Sequence, residues 1–318
     1  MDKFDLYRKK TFTRYWNNFS QKPKKNQSYL KFLKIIKKYF SRFFGYKLSI
    51  KISKNSNTKD ETFTSYQVDK YVLNYRNIEL LKIVRGYLKY FKLEYSDVSL
   101  KKIIQDYITV FYNSPIKELG SGFGFNEGLF LFCIIRIIKP NTIIESGVMK
   151  GFTTYLIDKA SEHDCTIYCY DINFENLEYR SLKALYFNND IIVNKPNLKN
   201  KNVLAFWDDH TSQLDRLVFS LNEGIKYNFF DDDLSFLNFH SDGWPPIPTI
   251  SMLKEIKQNI IKGDKVEWIC RNKRGKIWLN MFNDANPINE VIYHKVFPNL
   301  FEKTGYKSHS QCSFLITR

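Results

Sequence analysis

The chain has 318 residues, of which 43% are hydrophobic, and its formal net charge at pH 7 is +16. This length suffices for one large domain with an extension, or for two modest domains, each with a buried core. Lys and Arg interrupt every early apolar stretch, which argues against a secretory signal peptide. The longest apolar run, residues 129–138, covers about half of a bilayer and contains Arg136, so we expect a buried helix there.

The five cysteines show neither metal-binding spacing nor the pattern of a small disulfide framework. Such thiols are typical of a reducing compartment, where they stay unpaired. We therefore expect a cytoplasmic protein, either free or peripheral to a membrane.

The positive charge is concentrated at the N-terminal end. Residues 1–60 contain 17 Lys or Arg and three acids, a net charge of +14, which leaves +2 for the remaining 258 residues. Within this basic arm, the apolar residues of segment 29–44 recur at helical spacing, and most of its basic residues fall on the other side. Such a helix can pack on the body, lie on an anionic membrane surface or follow a nucleic-acid backbone, and the sequence leaves these three alternatives open.

Residues 52–64 are polar and lack periodicity, which predicts a linker. We therefore divide the chain into a basic N-terminal arm, residues 1–64, and a body, residues 65–318. The body begins with a helical lead-in that includes residues 99–112.

Strand and helix patterns alternate from about residue 120 onward. The strands predicted in chain order are 142–148, 166–172, 190–194, 202–209, 226–233, 266–272 and 311–318. Helices are predicted at 152–161 and 212–224, after the first and fourth strands. Short apolar strands that alternate with helices predict an α/β fold with a Rossmann-like, doubly wound, mostly parallel seven-stranded sheet and helices on both faces.

Four of these strands end in acidic residues. They are Glu145, Asp171, Asp208 with Asp209, and Asp231 with Asp232 and Asp233. Parallel strands bring their carboxyl ends to one rim, where ligands of such sheets bind. Like charges crowded together cost free energy unless a cation or a hydrogen-bonding ligand compensates them. The rim therefore predicts a cationic cofactor, a metal ion or both.

The segment TIIESGVMKGFTTYLI, residues 142–157, contains Glu145, Gly147 and Gly151 in the pattern E-x-G-x-x-x-G. A glycine directly after a strand lets the backbone turn sharply and approach a ligand, and the helix that follows offers free N–H groups. Asp171 lies 20 residues beyond Gly151, where an acid can accept hydrogen bonds from both hydroxyls of a ribose. We interpret the segment as a cofactor-binding turn; the alternative is a purely structural connection, with Asp171 placed by coincidence.

The same residues carry a family resemblance over roughly residues 115–318. IIESGVMKGFTTYLI resembles motif I of class I S-adenosylmethionine-dependent methyltransferases, and YCYDI resembles their second-strand motif. Met149 replaces the middle glycine of the common motif, and this form resembles the macrocin O-methyltransferase and cephalosporin hydroxylase branch, which acts on sugars and secondary metabolites. The resemblance implies that Glu145, Gly147, Gly151 and Asp171 bind S-adenosylmethionine.

In that branch a divalent metal ion is held by an acid after the fourth strand and an acid pair after the fifth. The matching positions here are Asp208, Asp231 and Asp232, and Mg²⁺ prefers such oxygen ligands. The residue two positions beyond the fourth-strand ligand serves as a base, which makes His210 the matching catalytic residue beside Asp208.

The resemblance thus implies a metal-assisted O-methyltransferase whose acceptor is a glycan, a saccharide or another small glycosylated metabolite. Two alternatives stay open. One is an RNA methyltransferase that holds its substrate with the basic arm. The other is a non-catalytic membrane-peripheral protein on the same fold, since one fold hosts many functions.

Overall fold

The computed structural model describes residues 77–116, 123–237, 247–258, 263–270, 273–279, 286–304, 306 and 310–318. The basic arm, its segment 29–44 and the boundary between residues 64 and 65 lie outside these residues, so those expectations stay predictions. None of the described helices is both long and apolar enough to cross a membrane.

Among the described residues, three lead-in helices precede the first strand: α1 (Asn77–Tyr90), α2 (Asp97–Tyr112) and α3 (Phe125–Ile138). Ser96 caps α2 through a reciprocal pair of hydrogen bonds with Ser99, which satisfies N–H groups that a helix start leaves free. The helices expected at 99–112 and 129–138 are both confirmed. In α3 the apolar run is buried, while Arg136 at its end pairs with Glu162.

The body continues with nine strands and four further helices. The elements are β1 (Thr142–Ser146), α4 (Phe152–Ala160), β2 (Thr166–Tyr170), β3 (Ala184–Phe187), β4 (Val203–Trp207), α5 (Gln213–Asn222), β5 (Tyr227–Phe230), α6 (Ile250–Lys257), β6 (Lys265–Cys270), β7 (Lys273–Trp278), β8 (Val291–Val296), α7 (Phe301–Thr304) and β9 (Ser313–Thr317). A 3₁₀ turn, Pro287–Glu290, leads into β8.

Seven strands form one sheet in the order β3-β2-β1-β4-β5-β9-β8. The five strands from β3 to β5 are parallel, whereas β9 runs antiparallel to both of its neighbours. The predicted Rossmann-like, mostly parallel seven-stranded sheet is therefore confirmed among the described residues.

One predicted strand was wrong, and a second is a strand but belongs to another sheet. Residues 190–194 form a turn in which the Asp190 carboxylate accepts a hydrogen bond from the Ile192 N–H at 2.8 Å, and the third strand is β3 instead. Residues 266–272 supply β6, which pairs with β7 in a separate two-stranded sheet. The strand that completes the large sheet is β8, at its edge.

The sheet has a hydrophobic core on each face. One core packs helices α1 to α4 against side chains such as Ile143, and the other packs α5 and α6 against side chains such as Ile144. Fully burying one such side chain contributes about 1.5–3 kcal/mol, so the two cores hold the central strands firmly. Because Ser146 pairs with Tyr170 and Trp207 at the strand ends, the segments after β1, β2 and β4 leave the sheet at one rim.

Candidate active site

The turn after β1 is shaped by two glycines with positive φ angles. Gly147 has φ +90°, and a Cβ there would lie 2.1 Å from the carbonyl oxygen of Asp208. Gly151 has φ +86°, and its Cβ would lie 2.5 Å from the carbonyl oxygen of Tyr179. Both positions therefore require glycine, because the backbones after β1, β2 and β4 approach one another too closely for a side chain.

Met149 keeps the same turn without a glycine. Its φ is +50°, in the left-handed region, and half of its side chain is exposed. An L-residue in this region costs about 1–2 kcal/mol relative to its preferred conformations. The shape of the glycine-rich turn is thus preserved at the position where the sequence departs from the family pattern.

Asp171 ties this turn to the end of β2. Its Oδ2 accepts hydrogen bonds from the backbone N–H groups of Val148 and Met149, at 2.8 and 3.0 Å. Its Oδ1 accepts from the N–H of Asn173 at 3.0 Å. A carboxylate has about four acceptor positions, so Asp171 retains capacity for a ligand hydroxyl while it holds the turn. The turn-holding role was not apparent from the sequence.

Glu145 lies within β1 and points beneath the turn, toward α4, rather than into the open rim. It is fully buried, and its Oε2 accepts hydrogen bonds from Thr154 Oγ1 at 2.7 Å and from Cys169 Sγ at 3.2 Å. Burial raises the pKa of Glu145 to about 8, although these two hydrogen bonds oppose the shift. Its Oε1 is buried and accepts no hydrogen bond from the described residues, which leaves an acceptor suited to a ligand's ammonium or hydroxyl group.

Asp209, after β4, is neutralised by Arg216 of α5. Arg216 Nη2 lies 2.5 Å from Asp209 Oδ2, and the same guanidinium binds both oxygens of Asp190 at 3.0 and 2.6 Å. Burial alone would raise the pKa of Asp209, yet the Arg216 cation and a hydrogen bond from Ser146 hold it below its ordinary range. This buried ion network joins the ends of β1, β3 and β4.

Asp233, after β5, is stabilised as an anion by hydrogen bonds rather than by an arginine. It is fully buried, accepts a hydrogen bond from the Ser251 N–H at 2.6 Å and lies 2.7 Å from His294 Nε2. Burial would raise the pKa of Asp233, but His294 and these hydrogen bonds lower it. Asp233 therefore stays ionised as part of the framework.

Among the described residues, no Lys or Arg forms an ion pair with the three remaining acids at the rim, Asp208, Asp231 and Asp232. Burial, followed by the charge of Asp231, raises the pKa of Asp208 well above its ordinary value, and the carboxyls of Asp208 and Asp231 are hydrogen-bonded to each other. The same two causes raise the pKa of Asp232 to about 7. Two acids that share a proton in this way carry less than two negative charges unless a cation joins them.

His210 faces this acid cluster. Its Nδ1 lies 3.6 Å from Asp232 Oδ2, and its side chain is 43% exposed. His210 and Asp232 both have positive φ angles, +54° and +52°. Such strained backbone conformations persist only where the surroundings enforce them, and they concentrate at functional sites.

The structure thus places Glu145, Gly147, Gly151 and Asp171 around one turn, and it brings the remaining site residues predicted from the sequence together at the ends of β4 and β5. Sequence reasoning missed Ser310 and Cys312, which both donate to Asp231 Oδ1, the thiol at 2.7 Å. They lie about 80 positions away in the chain, so no local spacing indicates them. The side chain of Ser212 caps α5 by accepting a hydrogen bond from the Asp215 N–H.

The acid cluster is not a preformed metal site. Within the part of the chain that the structure describes, no group of three or more His, Cys, Asp or Glu side chains has an arrangement that could hold a metal ion. Asp208, Asp231 and Asp232 have the oxygen donors that Mg²⁺ prefers, so their chemistry fits the ion while their present arrangement does not enclose it.

Comparison with known proteins finds similarity to solved structures only. No family model and no curated protein matches the chain. It is similar to the O-methyltransferase TomG from Streptomyces achromogenes, solved with S-adenosylmethionine, at 8% identity over 73% of this chain and 95% of that chain, with a TM-score of 0.37. It is also similar to an O-methyltransferase from Bacillus cereus, solved with S-adenosylhomocysteine, at 12% identity, 73% and 96% coverage and a TM-score of 0.33.

A third similarity is to CmcI in its ligand-free form, at 14% identity and a TM-score of 0.30. That match covers 34% of this chain and 52% of the CmcI chain, about half of its length. Similarity at such identities concerns the fold. The strand order of the large sheet, with its antiparallel strand beside β5, is Rossmann-like in its own right.

The close approach at the turn predicts contrasting effects of three substitutions. Gly147→Ala should cost about 3–4 kcal/mol of unfolding free energy, or prevent folding, because its Cβ meets a backbone oxygen. Gly224→Ala, at φ +68° with nothing within 4 Å, should cost only about 1–2 kcal/mol. Met149→Gly should stay within about 1 kcal/mol of the native chain, because it removes left-handed strain but loosens the unfolded state. Urea unfolding measures all three; equal losses for Gly147→Ala and Gly224→Ala would contradict the close approach.

The raised pKa of Asp232 predicts how stability depends on pH. The folded chain keeps this proton up to pH about 7, whereas the unfolded chain loses it near 3.8, so stability falls as pH rises between these values. Asp232→Asn should remove this fall. The unfolding free energy of the variant minus that of the native chain should therefore be roughly 1–3 kcal/mol larger at pH 8 than at pH 4. Asn also tolerates the left-handed backbone. Thermal unfolding from pH 4 to 8, with exposed Asp164→Asn as the control, is the measurement; parallel pH profiles for Asp232→Asn and the native chain would refute it.

Proposed function

We propose that this chain is an S-adenosylmethionine-dependent O-methyltransferase. The observation that carries the proposal is the contrast at the rim of the sheet: the framework stabilises Asp209 and Asp233 as anions, yet leaves Asp208, Asp231 and Asp232 together beside a glycine turn. Uncompensated carboxylates at the ligand-binding rim of a Rossmann-like sheet suit a ligand that brings positive charge. The sulfonium of S-adenosylmethionine is such a ligand.

The residues around the turn fit this cofactor. Gly147 and Gly151 let the backbone turn sharply after β1, at the rim where ligands of such sheets bind. Asp171, at the end of β2, has spare acceptor capacity for ribose hydroxyls. The buried and unused Oε1 of Glu145 is an acceptor for a donor on the ligand, such as its ammonium group.

The acid cluster and His210 fit the proton transfer that O-methylation requires. When bound, S-adenosylmethionine supplies an electrophilic methyl group. The acceptor hydroxyl must lose its proton as its oxygen bonds to that methyl group and the carbon–sulfur bond breaks. His210 is partly exposed and faces Asp232, and a neutral imidazole can accept the proton of an acceptor hydroxyl. We assign the base to His210, with Asp208 at the reaction centre and Asp232 orienting the imidazole.

We further propose that a divalent cation such as Mg²⁺ binds Asp208, Asp231 and Asp232. A cation would relieve the repulsion that, together with burial, raises the pKa of Asp208 and of Asp232. A bound cation also suits an acceptor with two neighbouring oxygens, which supports a saccharide or glycosylated metabolite. The family resemblance of the E-x-G-x-x-x-G segment favours the same acceptor class.

An RNA acceptor is the second candidate, and the observation that favours it is the net charge of +14 in residues 1–60. A basic arm that follows a phosphate backbone would make RNA affinity fall steeply with salt. A small acceptor is the first choice because the acid cluster would repel phosphates near the reaction centre.

We retain the division at residue 64 and a cytoplasmic location as parts of the proposal.

Binding of S-adenosylhomocysteine tests the proposed cofactor most simply. Calorimetry should show one site per chain, and Asp171→Ala should weaken binding about tenfold or more, a loss of about 1.4 kcal/mol, because ribose acceptors and the turn are both lost. Asp171→Asn, which keeps one acceptor oxygen, should fall between Asp171→Ala and the native chain. The exposed Asp164→Asn should bind like the native chain. Absence of binding, with and without Mg²⁺, would refute the proposal.

Thermal stability tests the cation site independently of activity. At pH 8, millimolar MgCl₂ should raise the melting temperature of the native chain, because an ion that binds only the folded state stabilises it. Asp231→Asn should abolish this increase, whereas Asp164→Asn should retain it. An equal increase in both variants would show that Mg²⁺ acts elsewhere and would remove the metal from the proposal.

A further inference from the structure

A cavity lies away from the acid cluster, at the β8 edge of the sheet. Its volume is about 260 Å³, and its walls come from the end of α1, from α6, and from the segment that leads into β8. Ile288 and Val291 give it an apolar side, and Lys254, Lys257 and His294 give it a basic side. Tyr90 of α1 closes one wall, and its hydroxyl donates to the His294 carbonyl oxygen at 3.1 Å.

A series of hydrogen bonds, which begins at a buried carboxylate, holds the ammonium group of Lys254 in place on the basic side of the cavity. The ionised Asp233 lies 2.7 Å from His294 Nε2, and His294 Nδ1 lies 3.1 Å from Lys254 Nζ. With its proton on Nε2, the imidazole donates to Asp233 and accepts at Nδ1 from the Lys254 ammonium. The ammonium then has two further N–H groups to donate. The side chains of Asp233 and His294 are 0% and 5% exposed, so a buried framework holds the Lys254 head in place.

The charge of the cavity is positive. None of the described residues that line it is acidic, and the charge of Asp233 is directed at His294 behind the wall. Lys257 adds a second cation at the exposed rim, and Lys295 lies nearby with its Nζ 5.1 Å from the Tyr90 ring centre. Burial lowers the pKa of Lys254, whereas the Asp233 charge opposes that shift, so an anion in the cavity would also relieve the cost of holding this ammonium.

We propose that this cavity is a binding site for the anionic group, a carboxylate or a phosphate, of a small molecule with an apolar body. The anionic group binds Lys254 and Lys257, and the apolar body contacts Ile288 and Val291. The site is separate from the proposed methyl-transfer centre, and it does not depend on that function.

Methyl NMR of the full chain labelled at isoleucine tests this site with three probes of similar apolar size. Hexanoate carries a carboxylate, phenyl phosphate carries a phosphate, and hexanamide is neutral. Hexanoate or phenyl phosphate, or both, should shift the Ile288 methyl signal saturably, and whichever binds identifies the group. Hexanamide should bind about tenfold more weakly, because it lacks the charge that the lysines recognise.

Two variants test whether the lysines of the cavity bind the anion, and a third variant serves as the control. Lys254→Met should weaken anion binding about tenfold, and the exposed Lys257→Met, which leaves that series of hydrogen bonds intact, should weaken it by about threefold. Lys295→Met removes a nearby cation outside the lining and should leave affinity within about twofold. Failure of both anions to shift the Ile288 signal, equal binding of hexanamide, or unchanged affinity in Lys257→Met and Lys254→Met would overturn the proposal.

Discussion

Repulsion among the carboxylates that the parallel strands bring to one rim determines which partners surround each of them. Each acid there is accommodated in its own way: Asp209 by the Arg216 guanidinium, Asp233 by His294, and Asp171 by backbone N–H groups of the turn. Asp208 and Asp231 instead share a hydrogen bond, at the cost of a raised pKa for Asp208. Asp208 and Asp231 are therefore the place at this rim where a cationic ligand would lower the repulsion between carboxyls.

Three loops at the rim contain residues with left-handed backbone conformations, and the packing of the sheet beneath them offsets the cost of that strain. Met149, His210 and Asp232 all have left-handed backbones, and they lie after β1, β4 and β5. Each costs on the order of 1–2 kcal/mol, which the cores on both faces of the sheet offset. These residues are three of the six non-glycine residues with positive φ among the described residues, so half of this strain lies in loops at one rim.

The central strands could be predicted from the sequence, and the edges could not. Segments that become β1, β2, β4 and β5 are short apolar runs, because a strand covered on both faces has few polar positions. β3 and β8 are edge strands: β3 has only four residues, and β8 includes His294 and Lys295, so neither gives a long apolar run. The predicted strand 266–272 overlaps β6, which pairs with β7 in a separate two-stranded sheet. An apolar run predicts a strand but does not tell which sheet the strand joins.

The candidate site divides in the same way. Gly147, Gly151 and Asp171 follow from local spacing, because a turn and a strand end fix their positions. Glu145 was expected at the rim, but the alternation of a strand turns its side chain beneath the turn. Arg216, like Ser310 and Cys312, reaches the rim through tertiary packing from other segments, and nothing in the spacing of a single sequence reveals such contacts.

Carbon-13 NMR titration of the aspartate side-chain carboxyls tests the central claim most directly. Uncompensated crowding predicts that Asp208 titrates well above its ordinary range and Asp232 near pH 7, while Asp209 and Asp233 titrate below theirs. S-adenosylmethionine or Mg²⁺ should move the first two downward and leave the second two unchanged. If all four carboxyls titrate together near their ordinary value of about 3.9, the rim holds no uncompensated charge and the account is contradicted.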